Sequence, residues 1–326
     1  MYGHLPVLRQ TQFFPGQLGV PGSDTDLGIR ATPGGVVLYV DENHPGATAF
    51  NDGTDPLNPL TTITAAIAKP FFTAGSVIVV GANATLVESV VIPATAPQGC
   101  SIIGVSNGTY CPTWTAAVNT GTALTINQQN WRISGIKFDL PAHGQSITLN
   151  WDATNNGSNT MIDHCQFMGG YAGHFGITAV GAPYAVHVLD CEFAEILQGA
   201  QTGAAIYFGL TPIADPLMWR IERCLFWDCD NHITSLNADH GLNTSIIKDN
   251  LFYDGEGIPT VLKLDLRGGS LGHNIVTGNF FSGDYSNAGG YYDSAAQASE
   301  WMGNWTPDIA EAEVADNGLT ILPPAA

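Results

Sequence analysis

At 326 residues the chain can hold one large domain or two small ones, and 44% apolar residues can bury a sizeable core. A net charge of −19, with ten Lys and Arg against 29 Asp and Glu, excludes a general nucleic-acid binder and disfavours anionic membranes. No apolar run reaches the roughly 18 residues of a membrane-spanning helix. Abundant Gly (38) and Pro (19) with only 12% charged residues favour a turn-rich β protein.

In chain order, MYGHLPVLRQTQFFPGQL has no apolar signal-peptide core, which implies cytosolic synthesis or a trimmed precursor. Residues 1–35 are rich in Gly, Pro and polar residues without a period, and read as an extended arm. The arm nevertheless carries Leu5, Val7, Leu8, Phe13, Phe14, Leu18 and Val20. Apolar side chains without a core of their own are expected to bury against a partner, or to fold back along the same chain.

Residues 36–68 begin extended, pass through a turn-rich stretch and end in a short amphipathic helix. Asn58 and Pro59 precede that helix, and Ile63 and Ile67 share a face. The runs SVIVVGA (76–82), ESVVIP (88–93), CSIIGVS (100–106) and TALTI (122–126) follow as strands.

From Ile133 a repeat takes over. ISGIKF, IDHCQF, VLDCEF, IERCLF, IKDNLF and VTGNFF end on Phe138, Phe167, Phe193, Phe226, Phe252 and Phe281, at separations of 29, 26, 33, 26 and 29 residues. Each phenylalanine but the last is followed by a second β-like run: 146–150, 176–180, 204–208, 232–236 and 260–264. Two or three short strands per turn describe stacked coils of parallel strands, with neighbours about 4.8 Å apart. Equivalent positions then lie above one another. The phenylalanines form an interior stack. Cys165, Cys191 and Cys224 continue into Asn250 and Asn279 as a second interior ladder. These cysteines are expected to be buried, reduced and free of metal, since no CxxC pair occurs among the six. Whether Cys100 and Cys111 pair stays open. The coil is assigned to 36–284, and 285–326 to a tail over its last turn.

The run YVD…NDGTDPLNPLTTITAAI with SVIVVGA, CSIIG and the I-x-x-[CN]-x-F units resembles the right-handed parallel β-helix proteins of the pectin-lyase-like superfamily. The resemblance implies an all-β fold: a right-handed, single-stranded parallel β-helix solenoid with a short N-terminal capping helix. It also implies a choice of functions, since the fold hosts lyases, hydrolases, viral spikes and inert structural proteins.

Two outward columns carry the candidate chemistry. Two residues after each phenylalanine stand Leu140, Gly169, Glu195, Asp228, Asp254 and Gly283. Glu195, Asp228 and Asp254 would form an acidic column at roughly 5 and 10 Å, bracketing the carboxylate separations of retaining and inverting glycosidases. Trp219 and Trp227 could stack on sugar rings. The plainer reading is a set of solvated turn carboxylates. The other column, Gly135, His164, Asp190, Arg223, Asp249 and Gly278, reads as a surface ladder of paired charges. The cluster Asn237–His240 offers no ligand spacing. The calcium-binding carboxylates and basic residue of the pectate lyases find no counterpart residue by residue, and no phosphate loop or nucleophile elbow occurs. No metal or cofactor is expected.

The resulting expectation is a non-catalytic component of a tailed-phage virion. It would be made in the host cytoplasm, attached to capsid or tail proteins through its arm, and self-associated as a homotrimer. The alternative is a polysaccharide hydrolase, lyase or tailspike acting on a surface glycan.

Overall fold

The computed structural model describes residues 34–106, 111–140, 144–169, 175–197, 203–209, 215–235, 241–253, 264–266, 273–282, 291–292 and 299–305. Calls that fall elsewhere, including the arm residues Leu5 to Val20, Asp254 and most of 260–264, lie outside the described residues. Three parallel sheets of ten, eight and eight strands run the length of the described chain. A coil visits them in turn. Arg132–Ser134 lies in the first sheet, Lys137–Asp139 in the second and Gln145–Asn150 in the third, and Met161–Asp163 returns to the first one coil higher.

Short strands suit this design because each is paired on both sides. Inward residues alternate with outward ones and meet their counterparts in the next coil. Ile133, Ile162, Val188, Ile221, Ile247 and Val276 align in the first sheet, and all are fully buried. The phenylalanines align in the second sheet. Their rings stack at 5.2 Å (138 on 167), 4.6 Å (167 on 193), 5.0 Å (193 on 226), 4.8 Å (226 on 252) and 4.9 Å (252 on 281). Trp114 occupies the same place one coil earlier, 5.4 Å from Phe138.

The corner between the first two sheets explains the rest of the repeat. Gly135, His164, Asp190, Arg223, Asp249, Gly278 and Gly303 all have φ between 53° and 69°. A left-handed residue turns the chain sharply, and Gly adopts it most cheaply. The ladder residue follows. Asn250 Nδ2 donates to Ile221 O at 2.9 Å, Asn279 Nδ2 to Ile247 O at 3.0 Å and Asn304 Nδ2 to Val276 O at 2.9 Å. The cysteines address the equivalent carbonyls below: Cys165 Sγ to Ile133 O, Cys191 Sγ to Ile162 O and Cys224 Sγ to Val188 O, at 3.5–3.7 Å. A thiol is a weak donor of suitable size, so Cys and Asn are interchangeable here on the donor side. All six cysteines are free, Cys100 and Cys111 included.

At the N-terminal end the helix spans Ile63–Ile67 and turns Ile63 and Ala66 into the core. Thr62 caps it by accepting from Ala65 N. Glu88, from a strand connection of the first coils, accepts from Ile63 N at 2.7 Å and Thr64 N at 3.2 Å, so two further orphan donors are satisfied.

The sheets continue past residue 284. Tyr291–Tyr292 joins the third sheet and Glu300–Met302 the first, with Trp301 beside Val276. Asn304 extends the ladder, since its Oδ1 accepts from Asn279 N at 3.0 Å. WMGNW (301–305) is therefore one more copy of the repeat, with Trp301 as the leading apolar residue and Gly303 at the corner. Among the described residues no helix is long and apolar enough to cross a membrane.

Candidate functional site

The corner column and the outward face of the first sheet together concentrate charge. Arg132, Arg220, Arg223 and Lys248 lie here, four of the chain's ten basic residues. Asp163 is nearly buried. It accepts from Arg132 Nε and Nη2, both at 2.8 Å, and from Ser134 Oγ at 3.0 Å, and its Oδ2 is 2.8 Å from His164 Nδ1. Burial alone would push this carboxyl up. Arg132 and His164 outweigh it and hold Asp163 at about 2. One group of coils higher, Arg223 forks onto Asp190 at 2.9 and 2.8 Å and reaches Glu222 at 3.2 Å, while Glu222 also accepts from Arg220 at 2.8 Å. His187, beside Arg220, is held low by burial first and by that guanidinium second.

The expected ladder of paired charges is thus present, with a different membership. Asp190 and Arg223 pair as the column suggested. His164 Nδ1 lies 2.8 Å from Oδ2 of Asp163, its own chain neighbour. The strand residues Arg132, Asp163, Arg220 and Glu222 were missed. The available signal was charge at alternate positions of RIS, MID and RIE, which places it on the outward face.

The acidic column is less uniform than its spacing suggested. Glu195 (φ 54°) and Asp228 (φ 47°) do occupy equivalent left-handed corners of successive coils, linked by Glu195 N donating to Trp227 O at 3.0 Å. Leu140, however, which heads the column, is buried in the core. The position is a corner that some coils turn inward. Trp219, proposed as a sugar platform, is fully buried, with Nε1 donating to Pro183 O at 2.7 Å. Trp227 remains on the outward face of the second sheet, level with Tyr253 of the next coil.

A third surface was not foreseen. In the third sheet Val91, Thr125, Thr148, Thr178, Tyr207 and Thr234 form one column, each paired to the next. They alternate with the core residues Leu149, Ala179 and Phe208, so they face outward. Yet exposure falls from 56% at Val91 to 4% at Thr178, 2% at Tyr207 and 1% at Thr234. Tyr207 stacks on Phe175 at 4.3 Å, and burial raises its hydroxyl above the ordinary range. The hydroxyls of Thr178 and Thr234 flank it without a hydrogen-bond partner among the described residues. Phe175, Ala204 and Tyr207 form a small buried cluster separate from the main core. Among the described residues no group of three His, Cys, Asp or Glu is placed to hold a metal ion.

No protein-family model and no curated protein matches the chain. Solved structures do. Pectate lyase Pel9A superposes with a TM-score of 0.51 at 11% identity, over 86% of this chain and 76% of its own. The pectin methylesterase from Aspergillus niger gives 0.50 at 12% identity, over 90% and 95%. A mutant tailspike protein of E. coli bacteriophage HK620, in complex with a hexasaccharide, gives 0.41 at 12%, over 73% and 54%. At these identities the likeness is one of fold. The chain has the right-handed parallel β-helix, pectin-lyase-like fold.

Proposed function

We propose that this chain is a non-catalytic structural component of a tailed-phage particle, a capsid decoration or cement protein or a tail-associated rod, attached through its N-terminal arm. The observation that carries the reading is where the charged groups go. Arg132 to Asp163 and Arg223 to Asp190 each tie one coil to the next. Left-handed backbone recurs at the same corner in seven successive coils from Gly135 to Gly303, including the glycine coils, so it belongs to the architecture rather than to one reacting centre. Arg132, Asp163, Asp190 and Arg223 are thus engaged in holding a rod together. The apolar residues of 1–35 supply the attachment, and lateral association of three copies buries further surface. Deleting residues 2–35 tests this. The coil should stay folded by circular dichroism and should no longer join purified particles. Equal incorporation of the deletion variant, or a full-length chain that never joins particles, would refute the reading.

A glycan-active protein is the second reading. The sheltered face around Tyr207 favours it, because unpaired Thr178 and Thr234 hydroxyls beside a stacked ring suit a sugar. A panel of bacterial polysaccharides should remain uncut under the first reading. Cleavage abolished in Asp228→Asn, or glycan binding lost in Tyr207→Ala with the fold intact, would replace it with the second.

A further inference from the structure

The first coil holds two large apolar side chains out in water. Phe50 is 96% exposed and Leu57 is 69% exposed, both on the loop that follows the first strand, Val37–Val40. Each sits in a turn closed by its own hydrogen bonds. Thr48 Oγ1 accepts from Phe50 N at 3.3 Å and from Asn51 N at 3.1 Å, and Asp55 Oδ1 accepts from Leu57 N at 2.9 Å. Asn51 locks the two turns together, because its Nδ2 donates to Gly46 O and to Pro59 O, both at 2.8 Å. Lys69, just past the capping helix, donates to Asn51 O at 2.5 Å. Tyr39 N donates to Gly53 O and Leu60 N to Tyr39 O, which stitches the loop to the edge of the first sheet. An exposed ring contributes nothing to the core, yet this one is held in place. A preorganised anchor of that kind loses little freedom when it binds.

The charge around the loop selects its partner. From residue 34 to residue 131 the chain has five acids, Asp41, Glu42, Asp52, Asp55 and Glu88, and one base, Lys69. Asp41 and Glu42 open the loop, Asp52 and Asp55 lie between Phe50 and Leu57, and the ammonium of Lys69 is already engaged by Asn51. A second copy presenting the same end would set these carboxylates against their like. Nucleic acid and anionic lipid are repelled for the same reason. The complementary surface is an apolar pocket with a rim of Lys or Arg on another protein. The pocket takes the ring, since buried aromatic anchors carry most of an interface's energy, and the rim steers and orients the encounter. Gly34 O accepts from Thr73 Oγ1 at 2.6 Å, and Val37 starts the first strand of the first sheet, so residues 1–33 join the rod in this same coil.

We propose that the Phe50–Leu57 loop is an end-on docking knob whose socket is an apolar, basic-rimmed pocket on a protein of the particle. The inference rests on the particle reading above and adds to it a second contact, made by the rod itself. The test uses the full-length chain and purified particles, with bound fraction measured against concentration. Phe50→Ala and Leu57→Ala should each weaken binding roughly tenfold or more. Both variants should keep the wild-type circular dichroism and melting curve, because neither side chain is buried. The double variant Asp52→Asn, Asp55→Asn retains the Oδ1 acceptors for Thr54 N and Leu57 N and should flatten the fall of binding with salt. A photo-crosslinking residue at 50 should join to a particle protein, and one at 302, in the last coil, should not. Wild-type binding by both alanine variants, where deletion of residues 2–35 abolishes it, would overturn the knob and leave the particle reading standing on the arm. Loss in Phe50→Ala while the deletion variant still binds would uphold the knob and refute the arm. A full-length chain that never joins particles removes both. Mass by light scattering that rises with concentration in the wild type but not in Phe50→Ala would overturn the knob in favour of a second copy.

Discussion

Replacing Phe193 by alanine tests the stacked core where it is tightest. The ring is fully buried between Phe167 at 4.6 Å and Phe226 at 5.0 Å, with interplanar angles of 6° and 4°. Losing about 150 Å² of buried apolar area costs roughly 4 kcal/mol. Each lost ring contact adds about 0.5–1.5 kcal/mol, less whatever the coils recover by closing in. An effect of about 4–5 kcal/mol follows, a large share of the roughly 5–15 kcal/mol that stabilises a domain. The loss should also spread, because each coil is covered only by its neighbours. Urea unfolding followed by far-ultraviolet circular dichroism measures the total, and hydrogen exchange by mass spectrometry reads the spread. Exchange should rise over Gln166–Met168 and Leu225–Trp227, the paired strands on either side. Phe50→Ala is the control. That side chain is 96% exposed, and its removal should stay within about 0.5 kcal/mol. A Phe193→Ala protein that unfolds with the wild type, or that loosens only its own strand, would refute the stacked-core account.

Three further outcomes are expected. Asn279→Ala should destabilise by roughly 3 kcal/mol in the same urea assay, since it strands Ile247 O and the Asn250 amide, which now share its side chain; a loss under 1 kcal/mol would show the ladder to be ornamental. Cys165, Cys191 and Cys224 should resist thiol reagents in the native state and react when denatured, because all three are buried, and burial lifts the Cys191 thiol well above its ordinary range; a disulfide between any two would break the parallel register. Asp163 is depressed to about 2 when folded, so its roughly 2 kcal/mol of stability is complete above the unfolded value near 3.9 and is lost as pH falls through 4 towards 2; Asp163→Asn should flatten that part of the urea-midpoint profile, and an unchanged slope would show that another carboxylate sets it.

What could be read from sequence was whatever the stack repeats. A phenylalanine aligned with five others is under the same packing demand in every coil, so residue type and spacing carry the register even as connection lengths vary. The last copy escaped because Trp301 stands where Ile or Val stands elsewhere, and because Thr306, not a phenylalanine, follows Trp305 where the repeat would end. Outward positions are different in kind. A strand residue there answers to its neighbours above and below, not to a shared core. Glu192 sits beside Gln166 at 2.9 Å, whereas Leu225, one coil on in the same column, sits beside Leu251. Sequence spacing therefore located the corner column and its Arg223–Asp190 pair, but not Asp163, which lies beside His164 within the same coil.

The same distinction bears on function. A reacting centre in a solenoid has to break the repeat, because chemistry needs unlike groups converging on one point while stacking delivers like groups in rows. The corner charges obey the repeat, and so do the left-handed backbones beneath them. Two places depart from it. One is the third-sheet column, where Tyr207 interrupts a run of threonines and burial deepens from 56% exposure at Val91 to 1% at Thr234. The other is the second-sheet face, where charge stops after Glu192 and exposed rings begin. A rod that serves a particle needs places to be gripped, and a protein that handles a glycan needs a place to hold it. The departures at Tyr207 and at Trp305, rather than the regular ladder between them, are where substitutions should separate the two readings.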